Sequence, residues 1–133
     1  MREILFRGKR IDNGEWETGS LVYARMGTSE EQASIADKMT AYHTPVIPET
    51  VGQYTGLTDK NEKKIFEGDI VSGHLDDLFP DEESRYEIAW KDYGWHLTSP
   101  DGTLDTAEQN WVNQHFEVIG NIYDNPELME VEK

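Results

Sequence analysis

Turn residues recur along this chain at short intervals, and the apolar runs between them have strand length rather than helix length. Asp12-Asn13-Gly14, Asp92-Tyr93-Gly94 and Ser99-Pro100-Asp101-Gly102 all have turn composition. Asn13-Gly14 constrains the most, because Asn-Gly supplies positive φ at low steric cost and so closes a tight hairpin. Its arms are Ile4 to Arg10 and Glu15 to Tyr23. In the returning arm Trp16 and Thr18 share one phase of the period-2 pattern, whereas Leu21 and Tyr23 share the other. A bulge near Gly19 would bring both pairs to one face.

The strand pattern lapses between Gly27 and Thr44. Ser29-Glu30-Glu31-Gln32 has the form of a capping box, and Ala33, Ile35, Ala36 and Met39 recur near helical spacing. A short helix is expected there, with a mobile excursion as the alternative. Pro45 and Pro48 then bracket Val46-Ile47, which confines any strand to a short or edge position. Gln53 to Leu57 reads as a strand, Thr58 to Glu62 as a polar turn, and Gly68 as a bend between Ile65-Phe66 and Ile70-Val71.

Further on, Asp76 to Ser84 holds acidic residues with no Lys or Arg among them and reads as a solvated, disordered acidic loop. Tyr86-Glu87-Ile88-Ala89-Trp90-Lys91 alternates cleanly, which places Tyr86, Ile88 and Trp90 toward a core and Glu87 and Lys91 toward water. A second hairpin follows through Asp92-Tyr93-Gly94 into Trp95 to Thr98. Asp105 to His115 is ambiguous, with one helical turn carrying Trp111 and Val112 as its reading. Glu117 to Tyr123 is apolar on both faces and should be a central, buried strand. Asn125-Pro126-Glu127 opens a short C-terminal helix with Asn125 as its N-cap, docked by Leu128 and Met129.

These elements predict a mainly β domain: a small SH3-like barrel or roll with an extra N-terminal hairpin, short helical excursions and a short C-terminal helix. Periodicity alone does not separate such a barrel from other small β-rolls. With 133 residues and no interdomain linker, one domain over residues 1–133 is expected.

Composition excludes several functions. The absence of cysteine removes disulfides, thiolate zinc sites and Cys nucleophiles. No apolar run reaches the length of a membrane span, and the charged N-terminus is no signal peptide, so a cytoplasmic location is expected. The 12 Lys+Arg against 27 Asp+Glu give a formal net charge of -15. That field disfavours nucleic acid and anionic membranes as partners.

Three blocks carry a family resemblance. Val46-Ile47-Pro48-Glu49-Thr50-Val51-Gly52-Gln53-Tyr54-Thr55-Gly56-Leu57, continuing through Thr58-Asp59-Lys60-Asn61 to Ile65-Phe66-Glu67-Gly68-Asp69-Ile70-Val71, resembles the YopX family. So do Val118-Ile119-Gly120-Asn121-Ile122-Tyr123-Asp124-Asn125-Pro126-Glu127-Leu128 and the N-terminal Arg2-Glu3-Ile4-Leu5-Phe6-Arg7-Gly8. The resemblance implies a protein of phages and prophages of low-GC Gram-positive bacteria, with an SH3-like barrel core and a homo-oligomeric state. It implies no particular activity. Glu62 departs from the pattern, standing where the family's turn usually has glycine, so that turn is expected to be longer or differently twisted.

Motifs for chemistry are missing. The histidines His43, His74, His96 and His115 show neither H-x-H nor H-E-x-x-H spacing. Asp101-Gly102-Thr103-Leu104-Asp105 lacks the alternating ligands and distal Glu of a calcium loop, and Asp76-Asp77 with Asp81-Glu82-Glu83 reads as solvated charge. No G-x-S-x-G, P-loop or G-x-G-x-x-G occurs. Neither a cofactor nor a metal is expected, and an enzyme is the last choice.

An interaction surface is the better expectation. Arg2, Arg7, Lys9 and Arg10 cluster in the first strand, and Lys60, Lys63 and Lys64 in the middle turn. Joined on one face, these groups would contact an acidic patch of a neighbouring copy; the alternative is ordinary screened surface charge. Among the four tryptophans, Trp90 follows core phase, Trp95 is undetermined, and Trp111 is the candidate interface aromatic. Glu49, Gln53 and Tyr54 are the family-block polar residues not assigned to turns or caps. The leading reading is a non-catalytic β module that binds protein, either itself or a host factor. Its rival is an acidic DNA mimic or inhibitor of a host nucleic-acid-binding protein, and direct nucleic-acid binding ranks third.

Overall fold

The computed structural model describes residues 4–25, 30–40, 42–73, 84–91, 94–100, 102, 104–106 and 109–130. Ser29, Arg2, His74 and the acidic stretch Asp76 to Glu83 lie outside them, as does the side chain of Trp111. The chain divides into two compact units, Met1–Tyr54 and Thr55–Lys133. Its strands form two antiparallel sheets, and neither strand order closes on itself among the described residues.

In the first unit β1 (Phe6–Lys9), β2 (Trp16–Ala24), β3 (Gln32–Ala36) and β4 (His43–Pro45) take the order β4-β3-β2-β1. Beyond β1 comes β5 (Gly52–Thr58), through Phe6↔Gln53 and Arg7↔Gly52. The N-terminal hairpin closes as its Asn-Gly turn requires. Arg10 N donates to Glu15 O at 2.8 Å, Gly14 N to Arg10 O at 3.0 Å, and Glu15 N to the Asn13 side-chain oxygen at 2.9 Å.

No bulge interrupts β2. Its pairs run in unbroken register, from Phe6↔Gly19 to Lys9↔Trp16 on one side and from Ser20↔Ala36 to Ala24↔Gln32 on the other. The phase change in the sequence is real and means two occupied faces. Leu21 packs on the core cluster of Ala33, Ile35 and Val46, while Trp16 lies on the opposite face. Gly19 serves a close approach instead: a Cβ there would collide with the Ala36 carbonyl oxygen.

The helix expected between Ser29 and Thr44 is also replaced. Gln32–Ala36 is a strand paired along its two edges with β2 and β4, and side chains of both its faces are buried, Ser34 as much as Ile35. A doubly buried strand shows consecutive apolar residues, which spacing alone confuses with a helix. Met39, the last residue of that supposed face, is 94% exposed. β4 ends at Pro45 on the sheet edge, as the prolines require.

The second unit holds the rest of β5, then β6 (Lys64–Phe66), β7 (Asp69–Gly73), β8 (Ser84–Lys91), β9 (Gly94–Thr98), β10 (Leu104–Thr106), α1 (Gln109–His115) and β11 (Phe116–Asn121). Its sheet has the order β10-β9-β8-β7-β11. Ile65, Val71, Tyr86, Ile88, Leu97, Val112 and Phe116 form its core, with the Tyr86 and Phe116 rings edge to face at 5.8 Å. Each fully buried aliphatic or Phe side chain there contributes about 1.5–3 kcal/mol relative to exposure. The bend at Gly68 is present, with φ +90° and its N–H donated to Ile88 O at 2.9 Å.

Three expectations fail here for local reasons. Trp90 is 49% exposed, because the core layer of β8 ends at Ile88 and the ring stacks edge-on against Trp95 at 4.9 Å near the hairpin end. β11 is an end strand of its sheet, and its register shifts between Val118 and Gly120, which leaves Ile119 as a bulged residue, 37% exposed. The doubled apolar pair therefore marks a bulge rather than burial on two faces. The C-terminal helix is a single 3-10 turn, Pro126–Met129, and Asn125 makes no side-chain cap. Instead the Asn125 side-chain oxygen accepts from Asn121 N at 3.3 Å, and the Asn121 oxygen accepts from Tyr123 N and Asp124 N.

Candidate functional site

Alternation along β1 puts Arg7 and Lys9 on one face, and the register places Lys9 opposite Trp16. The Arg7 guanidinium carbon stands 4.5 Å from the centre of the Trp16 ring, and Lys9 Nζ stands 5.8 Å from it. A cation–π contact contributes about 0.5–1 kcal/mol at exposed sites and more where the cation is desolvated, as Arg7 Nε and Nη2 are, and this offsets part of the about 2 kcal/mol of rotamer entropy of each long side chain. The outcome is a short basic strip on an aromatic platform. The Pro48–Thr50 turn braces it from behind: Lys9 N donates to Thr50 Oγ1 at 2.9 Å, and Thr50 Oγ1 donates to Ile47 O at 2.6 Å.

Other sequence-nominated residues scatter. Glu49 is exposed in that turn, and Gln53 is partly buried opposite Phe6. Tyr54 is 8% exposed, with its N–H donated to Leu5 O at 2.8 Å, so it offers a partner little surface. Arg10 leaves the strip for the opposite face. There its Nε and Nη2 donate to the two Asp12 oxygens at 2.9 and 2.8 Å, and Nη1 donates to Glu17 at 3.2 Å.

This second face carries a cleft of about 270 Å³ lined by Arg10, Glu17, Ile35, Asp37, Thr40, Tyr42 and Thr44. The turn between β3 and β4 builds one wall. Asp37 Oδ1 accepts from Met39 N at 2.8 Å and Thr40 N at 3.0 Å, Thr40 Oγ1 accepts from Tyr42 N at 3.2 Å, and Asp37 N reaches Tyr42 O at 3.0 Å. Backbone N–H groups of Thr40 and Met39 hold the Asp37 carboxyl below the usual aspartate range, and the Arg10 guanidinium does the same to Asp12. Asp12 in turn raises Arg10. Apart from Arg10, the cleft residues were not singled out from the sequence, because the helical reading of this segment dispersed them. The available cue was Asp37 two and three positions before Met39 and Thr40, the spacing of an Asx turn.

In the second unit Lys60, Lys63 and Lys64 are all exposed. Their turn is rigid nonetheless. Buried Asp59, 2% exposed, accepts from Asn61 N and Lys63 N through Oδ1 and from Val118 N through Oδ2, at 2.8, 2.9 and 2.9 Å. Asp69 similarly accepts from Phe66 N at 2.8 Å. Both acids are structural, as turn residues of this kind generally are. Glu62 has φ 65°, the one positive φ among the described non-glycine residues, so the turn keeps a conformation that glycine prefers. On the neighbouring sheet, burial pushes the Glu87 carboxyl up, with Lys91 opposing and Glu67 adding to the shift.

The family model described as YopX protein matches residues 5–130. The chain belongs to the YopX family. Two solved structures share its fold. Protein EF1440 from Enterococcus faecalis has TM-score 0.63 and 24% identity, covering 98% of this chain and 100% of that one. YopX from Bacillus subtilis has TM-score 0.57 and 19% identity, with 98% and 100% coverage. No curated protein matches. Among the described residues no helix of this YopX-family chain is long and apolar enough to cross a membrane.

Proposed function

We propose that this YopX-family chain is a non-catalytic interaction module, phage- or prophage-encoded and working in the bacterial cytoplasm. It binds the acidic surface of a protein, a second copy of itself or a host factor, through Arg7 and Lys9 on Trp16. One observation carries the reading: in a chain of net charge -15, two cations stand over one aromatic ring. Fixing them beforehand removes part of the ordering cost of a charged interface. Lys60, Lys63 and Lys64 on their braced turn supply a second basic surface, and the acidic excess makes other copies suitable partners.

Light scattering across a salt series tests it. Self-association that weakens with salt and is lost in the Arg7→Glu/Lys9→Glu double variant is expected. If the wild type is monomeric, a host protein must be captured by the wild type, survive nuclease and be lost with the double variant. Capture indifferent to both substitutions overturns the reading. The net charge also favours a second function, mimicry of DNA toward a basic host enzyme. That role predicts a captured partner that DNA displaces, with steep salt dependence.

A further inference from the structure

We propose that the cleft beside the β3–β4 turn receives a cationic side chain, an arginine or lysine carried by a partner protein. It lies on the opposite face of the β1–β2 hairpin from Arg7, Lys9 and Trp16, and it does not depend on the function proposed for that face.

Size comes first. At about 270 Å³ the cleft falls below the volumes that enclose drug-sized ligands, and it suits the end of one long side chain. Charge decides between the classes of ligand. Arg10 is the single cation of the lining, and its Nε, Nη1 and Nη2 already face Asp12 and Glu17. An entering anion would find a neutralised guanidinium surrounded by carboxylates. An entering cation finds Glu17, whose Oε1 holds Arg10, and Asp37, whose Oδ1 takes both backbone N–H bonds. Each acid thus has its geometry fixed mainly through one oxygen, the Thr40 side chain adding a further hydrogen bond to the Asp37 carboxyl, and no backbone N–H of the described residues is donated to the second oxygen of either.

The remaining walls fit a side chain with an alkyl stem. Ile35, 2% exposed, gives an apolar floor on which methylenes can lie while the charged head stays at the polar rim. Tyr42, 76% exposed, offers an aromatic face at the mouth, where a cation gains from the ring quadrupole. Thr44 adds a hydroxyl to the lining. Neutral sugars would use the ring and hydroxyls but would leave the excess carboxylate charge unanswered.

The test is an NMR titration of the full ¹⁵N-labelled chain with an end-blocked Gly-Arg-Gly peptide, its lysine and citrulline analogues, and methylguanidinium. The arginine peptide should shift the amides of Glu17 and of Asp37 to Thr44 with a Kd of about 1 mM. Lysine should bind the same place. Citrulline, neutral and of nearly the same shape, should bind at least roughly tenfold more weakly, the scale of one lost charge-assisted hydrogen bond. Asp37→Asn keeps the Oδ1 acceptor and hence the turn, and it should weaken the arginine peptide by a similar factor. Three outcomes overturn the proposal: no saturable shift at these residues, citrulline equal to arginine, or Asp37→Asn without effect. Methylguanidinium binding as tightly as the peptide would overturn the side-chain assignment, since the stem on Ile35 would then contribute nothing.

Discussion

Asp37 and Asp59 organise their turns with the same device and to different ends. Each uses Oδ1 to accept the N–H two residues on, Met39 N for Asp37 and Asn61 N for Asp59, both at 2.8 Å, plus a further N–H of its own turn. The difference lies in Oδ2. In Asp59, 2% exposed, that oxygen accepts Val118 N at 2.9 Å and staples the turn to β11, 59 residues away in sequence. In Asp37, exposed at a cleft, no backbone N–H of the described residues is donated to that oxygen, and the further bond to the carboxyl comes from the neighbouring Thr40 side chain. A carboxylate whose bonds are all made inside the protein supports the fold, whereas one with a fixed but unfinished set is available to a ligand. Both turns open with Asp-Lys, and the distinction is made by what packs on the second oxygen.

Removing the carboxylate separates the two most sharply. Asp59→Ala leaves three backbone N–H groups without their acceptor. At about 1–3 kcal/mol for each buried unsatisfied group, with water rescuing the outermost, a loss of about 3 kcal/mol is expected in urea unfolding. Asp59→Asn keeps Oδ1 but turns an amide NH₂ toward Val118 N, and should cost about 1–2 kcal/mol. If Asp59→Ala is no worse than Asp37→Ala, the staple does not exist as described.

Glu62 sharpens the account of the same turn. Its φ of 65° is a left-handed conformation that costs a residue with Cβ about 1 kcal/mol, while glycine takes it freely. Part of that gain is offset by glycine's larger unfolded-state entropy. Glu62→Gly should therefore stabilise by about 0.5 kcal/mol, visible as a small rise in denaturation midpoint with unchanged m-value. A loss of stability would mean that the Glu62 side chain contributes contacts outweighing the backbone strain.

How far the sequence could be read follows from the same contrast. Turn chemistry is local, so Asn13-Gly14, Gly68 and the polar turn around Asp59 and Asn61 were legible, but Glu62 in place of glycine suggested a longer or differently twisted turn, whereas Glu62 itself takes the positive φ. Alternation was legible where one face is buried, as at Tyr86 and Ile88. It misled wherever the second face is also occupied. Ala33 to Ala36 looked helical because side chains of both strand faces are buried, and Trp16 and Leu21 suggested a bulge because each faces a different environment; Val118-Ile119 suggested a central strand for another reason, the bulge at Ile119 that breaks the alternation. The basic strip needed only the hairpin register to predict. The cleft needed a strand to be recognised where the spacing suggested a helix, which is why Glu17, Asp37, Tyr42 and Thr44 went unnoticed.

Glu87 supplies a carboxylate whose pKa is shifted in the opposite direction from that of Asp37. Burial raises its pKa, so the folded chain binds this proton more readily than the unfolded chain does. Its contribution to stability is complete below the unfolded value and is lost as pH rises through the folded one. Glu87→Gln should accordingly raise the melting temperature at about pH 7 and leave it unchanged at about pH 3, where both forms are neutral. An equal effect at the two pH values would place the origin in packing rather than ionisation.

The smallest effect is expected at Asp37 itself. The N–H groups of Thr40 and Met39 lower its pKa from the ordinary 3.8, so its contribution to stability is present above that value and disappears as pH falls through the lowered one. Because the turn is exposed, the global melting temperature should barely register this, and the reporter must be local. The amide shifts of Met39 and Thr40 should titrate together with a midpoint below 3.8. Asp37→Asn should abolish that titration, since its amide oxygen accepts the same two N–H bonds without taking up a proton. A midpoint at or above 3.8 would mean that the two bonds do not fix the carboxylate in solution, and with them would go the preorganised oxygen on which the cleft depends.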